Sequence, residues 1–371
     1  MHVFRWRAAV LACLVITARS AAGQTGSLED LTEDTASATR ISGFGVAGLQ
    51  GDTVSGRTRF DAGKLAVGVF RELNEQTWIF GQLTTSVSPG SEGQDEATTE
   101  IEIDNLIVNV SPRSDLSVSI GKLDMPLGFE RDDEPLNLQA TTSHNFELAR
   151  PPKLVGALVR WTGFRTLDLA GWVANGWSGD LEPNRGKTVG GRLGVRPSER
   201  ASIGAGFLFG PEGAEGSTSN RYLASVDYAV QPDDRWLIAG ELNYGGDAAS
   251  NTAAAATWYG GTATVFRQVT RAFGIAGRFD RFSDPDGARS GVPQTLHSLT
   301  ISPVYFVGTG GEGIFATIEH TTLRIPRFQI RADLRWDHAS VDGDPIERTV
   351  ADSAVAAGWP MTGVIQLVAT F

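Results

Sequence analysis

Between positions 328 and 337 the chain reads FQIRADLRWD, and its polarity alternates without a break. Phe328, Ile330, Ala332, Leu334 and Trp336 share one parity; Gln329, Arg331, Asp333, Arg335 and Asp337 share the other. Side chains of a strand point alternately to its two faces, so this segment sets a wholly apolar stripe against an ionic one. The apolar stripe needs a second layer or lipid, and the ionic stripe needs water or partners.

The same grammar recurs along the chain. Leu116, Val118 and Ile120 oppose Ser117 and Ser119, and Phe273, Ile275 and Phe279 oppose Arg278 and Asp280. Ile238, Leu242 and Tyr244 oppose Glu241 and Asn243. From Arg40 onward there is almost no helical period. Segments of roughly ten alternating residues separated by turn residues are the pattern of a transmembrane β-barrel. The polar parity is rich in Gly, Ala and Ser with sparse charge, which suits a lumen better than the surface of a soluble sandwich.

The links alternate in length too. Short ones lie at 71–76, 111–115, 196–200 and 230–235, with longer ones at 88–97, 127–152, 177–186 and 283–294. Barrels of this type have short periplasmic turns and longer outer loops. Trp78, Trp161, Trp177, Trp236 and Trp336, near strand ends, are expected in interfacial girdles. About 17 strand candidates emerge, whereas single-chain bacterial barrels have even numbers. The doubtful stretch is 294–325, where GTGGEG and RIPR cannot both be short turns. The expected fold is all-β, an antiparallel up-and-down barrel of about 16 strands, within roughly 14–18.

The first 23 residues have a basic start at Arg5 and Arg7, an apolar run from Ala8 to Ile16 and small residues at Ala21, Ala22 and Gly23. This is expected to be a secretory signal peptide cleaved after Ala22 or Gly23. A lipoprotein signal built on Cys13 fits poorly, because the apolar run continues past it. Residues 24–39 form an acidic, mobile lead-in, and the barrel occupies 40–371. Removal of Arg5, Arg7 and Arg19 leaves 29 of the 32 basic residues against 43 acidic ones, a net charge of −14. Such a chain is a poor partner for nucleic acid. The terminal Phe371, sharing its parity with Ala369, Leu367 and Ile365, resembles the signal read by the outer-membrane barrel assembly machinery.

The segment GKLDMPLGFE, 121–130, ends one strand and opens the longest link. It resembles the Gly-Lys-(Phe/Leu)-x-x-Pro-x-Gly-(Phe/Tyr)-Glu segment of the outer-membrane β-barrel porins of the OmpL-like, beta-barrel porin-2 group. More distantly it is similar to the phosphate-selective porins. TTSHNFELARPPKLVGALVRW, 141–161, looks like the same group's loop returning into the next strand. The resemblance implies a channel for small solutes, and it leaves open whether 127–152 folds inward to narrow the pore. A homotrimer, common among general porins, stays open.

Charged residues on the polar parity are the candidate pore lining: Glu100, Glu102, Asp104, Asp168, Arg192, Asp227, Glu241, Arg278, Asp280, Arg331, Asp333, Arg335 and Asp337. A basic side chain at the lipid midplane of a barrel costs about 2–4 kcal/mol, so these must face inward. Their acidic balance favours cations and argues against phosphate selectivity. Whether the alternating Arg and Asp of 331–337 filter ions or only pair across the wall is open. In the long loop, Arg131, Asp132, Asp133, Glu134, His144 and Arg150, with Glu147 and Lys153, are candidates for a constriction.

Enzyme and cofactor chemistry find little support. The carboxylates at 132–134 lack the spacing of a calcium loop. There is no Gly-x-Ser-x-Gly, no HExxH and no Cys/His cluster. His338 stands between Asp337 and Ser340, but adjacent strand residues face opposite ways, so Asp337 would not orient it. The expectation is a passive outer-membrane porin, weakly cation-preferring, without metal or cofactor, surrounded by outer-membrane lipids and passing small solutes or ions. A non-conducting structural or adhesive barrel and a rim hydrolase are the alternatives.

Overall fold

Strand alternation governs the architecture. The computed structural model describes residues 39–371 apart from 62, 89–97, 178–183, 185, 213–218, 250–253, 308–327, 341–347, 351–352 and 356–358. The expected signal and almost all of the lead-in lie outside the described residues, as do GTGGEG (308–313) and RIPR (324–327).

β1 (Thr39–Asp52), β2 (Thr58–Asp61), β3 (Lys64–Asn74), β4 (Thr77–Ser88), β5 (Thr98–Arg113) and β6 (Leu116–Asp124) precede the long link. Then come β7 (Lys153–Phe164), β8 (Leu167–Ala174), β9 (Thr188–Ser198), β10 (Ala201–Pro211) and β11 (Asn220–Val230). β12 (Trp236–Asp247), β13 (Ala256–Gln268), β14 (Phe273–Asp284), β15 (Gln294–Val307) and β16 (Phe328–Ser340) follow. β17 (Arg348–Val350) and β18 (Ser353–Val355) form a separate two-stranded sheet, and β19 (Met361–Thr370) closes the chain.

Neighbours pair antiparallel, and β19 pairs with both β16 and β1, so the sheet has no free edge. β2 and β3 pair in succession with one edge of β1, at 48–51 and 39–45. They are two halves of one stave, and the 17 strands of the main sheet therefore build a closed barrel of 16. The expected architecture and strand number hold. The short turns after β3, β5, β7, β9, β11 and β13 fall at one end, where Val307 and Phe328 also pair, and the 53–57 turn and the 125–152 link lie at the other.

The apolar parity faces out: Ile101, Phe207, Leu242, Phe279, Ile330 and Leu367 are exposed, while Glu241, Arg278, Asp280, Arg331 and Asp333 on the opposite parity are buried. In β5 the register shifts between Gln82 and Leu83 of its partner, placing Asp104 and Asn105 side by side within the barrel. A bulge of this kind flips the facing of everything beyond it. Asn105, Ile107 and Asn109 thus face inward on one side of it.

The interior is less aqueous than alternation suggested. Phe80, Leu158, Trp172, Leu208, Trp258, Phe282 and Leu296 project inward and pack around Met125, Leu127 and Ala149 of the long link. Two girdle expectations fail for related reasons. Trp78 shares its parity with Phe80 and Gln82 and packs inward on Phe70, ring centroids 5.6 Å apart. Trp177 lies beyond the end of β8, and its chain turns inward to set it on Trp258 at 5.9 Å, fully buried. Trp161, Trp236 and Trp336 stand on the outer parity, Trp161 donating to Asp115 at 3.0 Å.

The seam between first and last strands is tight. Gly43 and Phe371 exchange both backbone hydrogen bonds at 3.0 Å. A Cβ on Gly43 would lie 2.2 Å from the Ala66 carbonyl oxygen and 2.7 Å from the Phe371 ring. Gly43→Val is therefore expected to destabilise the closed barrel by about 1–3 kcal/mol, read as loss of the heat-modifiable gel band at lower temperature than in the wild type.

Candidate functional site

The link between β6 and β7, residues 125–152, folds into the barrel and is held there by side chains from strands far away in sequence. Two short helices shape it, a 3-10 turn Glu134–Leu136 and α1 (His144–Ala149). Ser143 caps α1 by accepting from Phe146 N at 3.0 Å.

The deepest anchor is an ion pair between Arg150 and Glu241 of β12, at 3.1 Å, with the two side chains 1% and 0% exposed. Glu241 also accepts from Asn145 Nδ2 at 3.1 Å and from Phe129 N at 2.6 Å. Gly128, with φ +79, runs directly over this pair; a Cβ there would come 2.0 Å from Glu241 Oε2 and 2.5 Å from Arg150 Nε. The glycine of the 121–130 segment thus lets the loop backbone reach a buried carboxylate. The glutamate of that segment, Glu130, is buried and pairs with Arg278 of β14 at 2.7 Å while accepting from Ser143 Oγ. Burial pushes its carboxyl above the ordinary range, and Arg278 and Ser143 pull it back.

The wall charges of β14 and β16 repeat this arrangement. Arg278 donates to the Thr141 and Thr142 carbonyls at 2.5 and 3.0 Å. Asp280 accepts from His144 N at 3.0 Å and from Ser298 Oγ. Arg331 donates to the Glu134 and Asn137 carbonyls at 2.7 and 2.6 Å and to Gln366 Oε1 at 2.6 Å. Asp333 accepts from Thr141 N and Oγ1 at 2.8 and 2.7 Å. Arg335 donates to Asp337 and to the Thr142 carbonyl, and His144 Nε2 lies 2.9 Å from Asp337 Oδ1 and 3.0 Å from Arg335 Nη2. The alternating charges of β16 therefore neither ladder with one another alone nor stand free; they grip the loop.

The other candidates divide by wall. Arg192 pairs with Asp227 at 2.7 Å, and Arg160 lies 3.9 Å from Asp168. Asp104 takes Gln82 Nε2 at 2.8 Å and Lys153 Nζ at 3.1 Å. Glu100 and Glu102 lie opposite Ser86 and Thr84 on the inner parity but are exposed, Glu102 meeting Lys122 at 2.8 Å. Arg131 holds the loop's shape through its backbone, exchanging hydrogen bonds with the Asn137 side chain at 3.0 and 2.7 Å.

Between the loop and the opposite wall of β1, β3, β16 and β19 lies a cavity of about 390 Å³. Lys64, Arg335 and His144 line it, together with Asp132, Glu134, Glu147 and Asp337. Lys64 faces Glu134 at 3.5 Å, and Asp132 lies 3.4 Å from Lys153. Amides and hydroxyls, among them Gln50, Gln139, Thr362 and Gln366, complete the lining. Of the expected loop residues, Asp132, Glu134, His144 and Glu147 reach the cavity, while Arg131, Asp133, Arg150 and Lys153 do not line it. Sequence reasoning missed Gln50, Lys64 and Gln366. The signal existed: Gln366 interrupts the apolar run of β19 opposite in parity to Ile365 and Leu367, and Lys64 precedes LAVGV on the parity of Ala66 and Phe70.

Asp133 is buried against Gln82, whose Nε2 it accepts at 3.0 Å. Burial, with Asp124 and Asp104 nearby and Lys153 opposing, raises it to about 7. Among the described residues no group of three or more His, Cys, Asp or Glu is placed to hold a metal ion. His338 faces out and stacks on Trp359 at 4.9 Å, while Asp337 faces in, as strand parity requires.

The profile of the family described as beta-barrel porin-2, OmpL-like, matches residues 74–357. No curated protein is similar enough in sequence to match. Several solved outer-membrane barrels share the fold. The anion-selective porin from Comamonas acidovorans superposes with TM-score 0.62 at 11% identity, covering 91% of this chain and 100% of that one. The outer membrane channel DcaP of Acinetobacter baumannii gives 0.61 at 8%, covering 91% and 98%. OmpT of Vibrio cholerae in its trimer form gives 0.58 at 10%, covering 91% and 100%. At these identities the likeness is one of fold.

Two outcomes follow from the anchors. Arg150→Ala leaves Glu241 buried without its cation, which costs about 3–5 kcal/mol of loop docking; limited proteolysis should then cut within 125–152 in the variant and spare the wild type. For Asp133, the docked state holds a proton up to about pH 7, whereas the undocked carboxyl has its ordinary 3.8. Docking is therefore strongest at low pH and weakens as pH rises through 7. Protease access to the loop should increase between about pH 5 and pH 8, and Asp133→Asn should flatten that dependence.

Proposed function

The chain belongs to the OmpL-like beta-barrel porin-2 family, and from that premise we propose that it is a passive channel of the outer membrane for small hydrophilic solutes or ions. The observation that carries this reading is the polar cavity of about 390 Å³ beside the docked loop. Sixteen-stranded barrels of known porins leave an aqueous channel, and here the loop restricts that space to one side. Solutes would pass along β1, β16 and β19, between the wall and the 132–147 face of the loop.

A weak cation preference remains part of the proposal, on a narrower footing than the wall charges as a whole. Most of those are spent on gripping the loop. The cavity itself carries Lys64 and Arg335 against Asp132, Glu134, Glu147 and Asp337, with His144 besides. Lys64 faces Glu134, Arg335 bonds Asp337 and Asp132 shares Lys153 with Asp104 and Asp124, so the imbalance rests mainly on Glu147. Excess carboxylates at a constriction favour cations. Export by a cleaved signal, recognition of the Phe371 strand by the assembly machinery and trimerisation belong to the same proposal. The OmpT trimer supports the last by likeness of fold only.

One observation favours a second reading, a non-conducting barrel: the apolar cluster around Met125 and Leu127 fills much of one side of the interior. Planar bilayers decide between them. The channel reading expects stepwise conductance and a reversal potential toward cations; Glu147→Gln, an exposed cavity residue, should roughly halve the cation-to-anion permeability ratio. Absence of steps from folded protein would favour the second reading, and an anion-selective reversal potential would remove the selectivity clause.

A further inference from the structure

The outer surface carries a feature that solute passage does not use. Arg281 of β14 is the cross-strand partner of His297 on β15, and His297 that of His338 on β16. All three stand on the outer parity, in one row across three staves. The imidazoles of His297 and His338 lie 6.2 Å apart and nearly parallel, and Trp359 stacks on His338 at 4.9 Å with an interplanar angle of 17°. Arg281 is exposed, and the two histidines are half-buried.

The position of the row matters. One step toward the short turns, the same three strands present Phe279, Leu299 and Trp336, also in register. That rung is apolar, and below it Ile301, Leu334 and Ile330 continue outward against lipid. One step toward the long loops stand Ser283, Thr295 and Ser340, also in register. The row therefore sits at the boundary where the apolar band ends on the long-loop side, the outer leaflet of a barrel oriented as these are. Among the described residues on these three strands, no carboxylate shares its outer parity: Asp280 and Asp337 point inward to Ser298 and His144.

We propose that Arg281, His297 and His338 form a binding site for the phosphate of an outer-leaflet lipid headgroup. A guanidinium offers a fork of N–H donors suited to phosphate, and imidazole N–H groups add single donors. The acyl chains would lie down the apolar rungs below, and Trp336 and Trp359 would flank the headgroup at the depth where indoles settle. The proposal rests on the outer-membrane reading, but its test does not involve conductance.

The test is native mass spectrometry of the folded barrel in detergent, with bisphosphorylated lipid A as probe, and the same lipid stripped of both phosphates alongside. The wild type should retain the phosphorylated probe and bind the stripped one at least about tenfold more weakly. The combined variant R281Q/H297Q/H338Q should lose affinity for the phosphorylated probe to a similar extent while keeping its heat-modifiable gel shift. R267Q, at the short-turn end beside Trp236, should bind like the wild type. Equal binding of the two probes by the wild type overturns the proposal whether or not the triple variant folds, and so does an equal loss in R267Q.

Discussion

A strand in hydrocarbon has no water to satisfy its backbone, so every N–H and C=O must find a partner in the next strand. The rest of this structure depends on that constraint. It forces β19 to close on β1, it fixes which parity of each strand faces lipid, and it confines the charges to an enclosed interior. Once enclosed, those charges face a second demand. Arg278, Arg331, Glu241 and Asp280 are almost wholly shielded from solvent, and a buried charge without a partner is strongly destabilising.

The link between β6 and β7 answers that demand. Its carbonyls, hydroxyls and backbone N–H groups are distributed so that Glu241, Arg278, Asp280, Arg331 and Asp333 each meet at least one, and its own Arg150 and Glu130 complete two ion pairs. Apolar residues of the same segment, Met125, Leu127 and Leu138, cover the large inward side chains of neighbouring strands. The loop is as much the core of this protein as an obstruction in its channel. The open cavity survives where amides and hydroxyls of wall and loop surround the Lys64–Glu134 and Arg335–Asp337 pairs.

The facing of most strands was legible from period-two alternation, because one slip would expose every charge to lipid. Arg331, Asp333, Arg335 and Asp337 point inward as their spacing dictates. What they touch was not legible: Arg331 meets Glu134 across 197 positions, and no local pattern encodes such a contact. The bulge at Asp104 and Asn105 was equally hidden, since a run such as EIEIDNLIV admits a frame shift anywhere along it. Trp78 and Trp177 were misassigned because an aromatic near a strand end suits an interface or an inward-turning loop equally well. The GKLDMPLGFE segment carried more than its resemblance, for Gly128 and Glu130 acquire a physical reason only when Glu241 and Arg278 are seen beneath them.

The separations between the anchors and their partners also bear on the order of folding. Glu241, Arg278, Asp280, Arg331 and Asp333 are all synthesised after the loop they hold, by 91 positions for Arg150 and Glu241 and by 192 for Thr141 and Asp333. Contacts this non-local form slowly, because long stretches of chain must be ordered first. The loop has no seat until β12, β14 and β16 stand beside one another, so its docking is a late event that follows assembly of the wall. Before its loop is seated, the barrel has a wider interior than the finished one, and the loop's seating depends on strands made well after it.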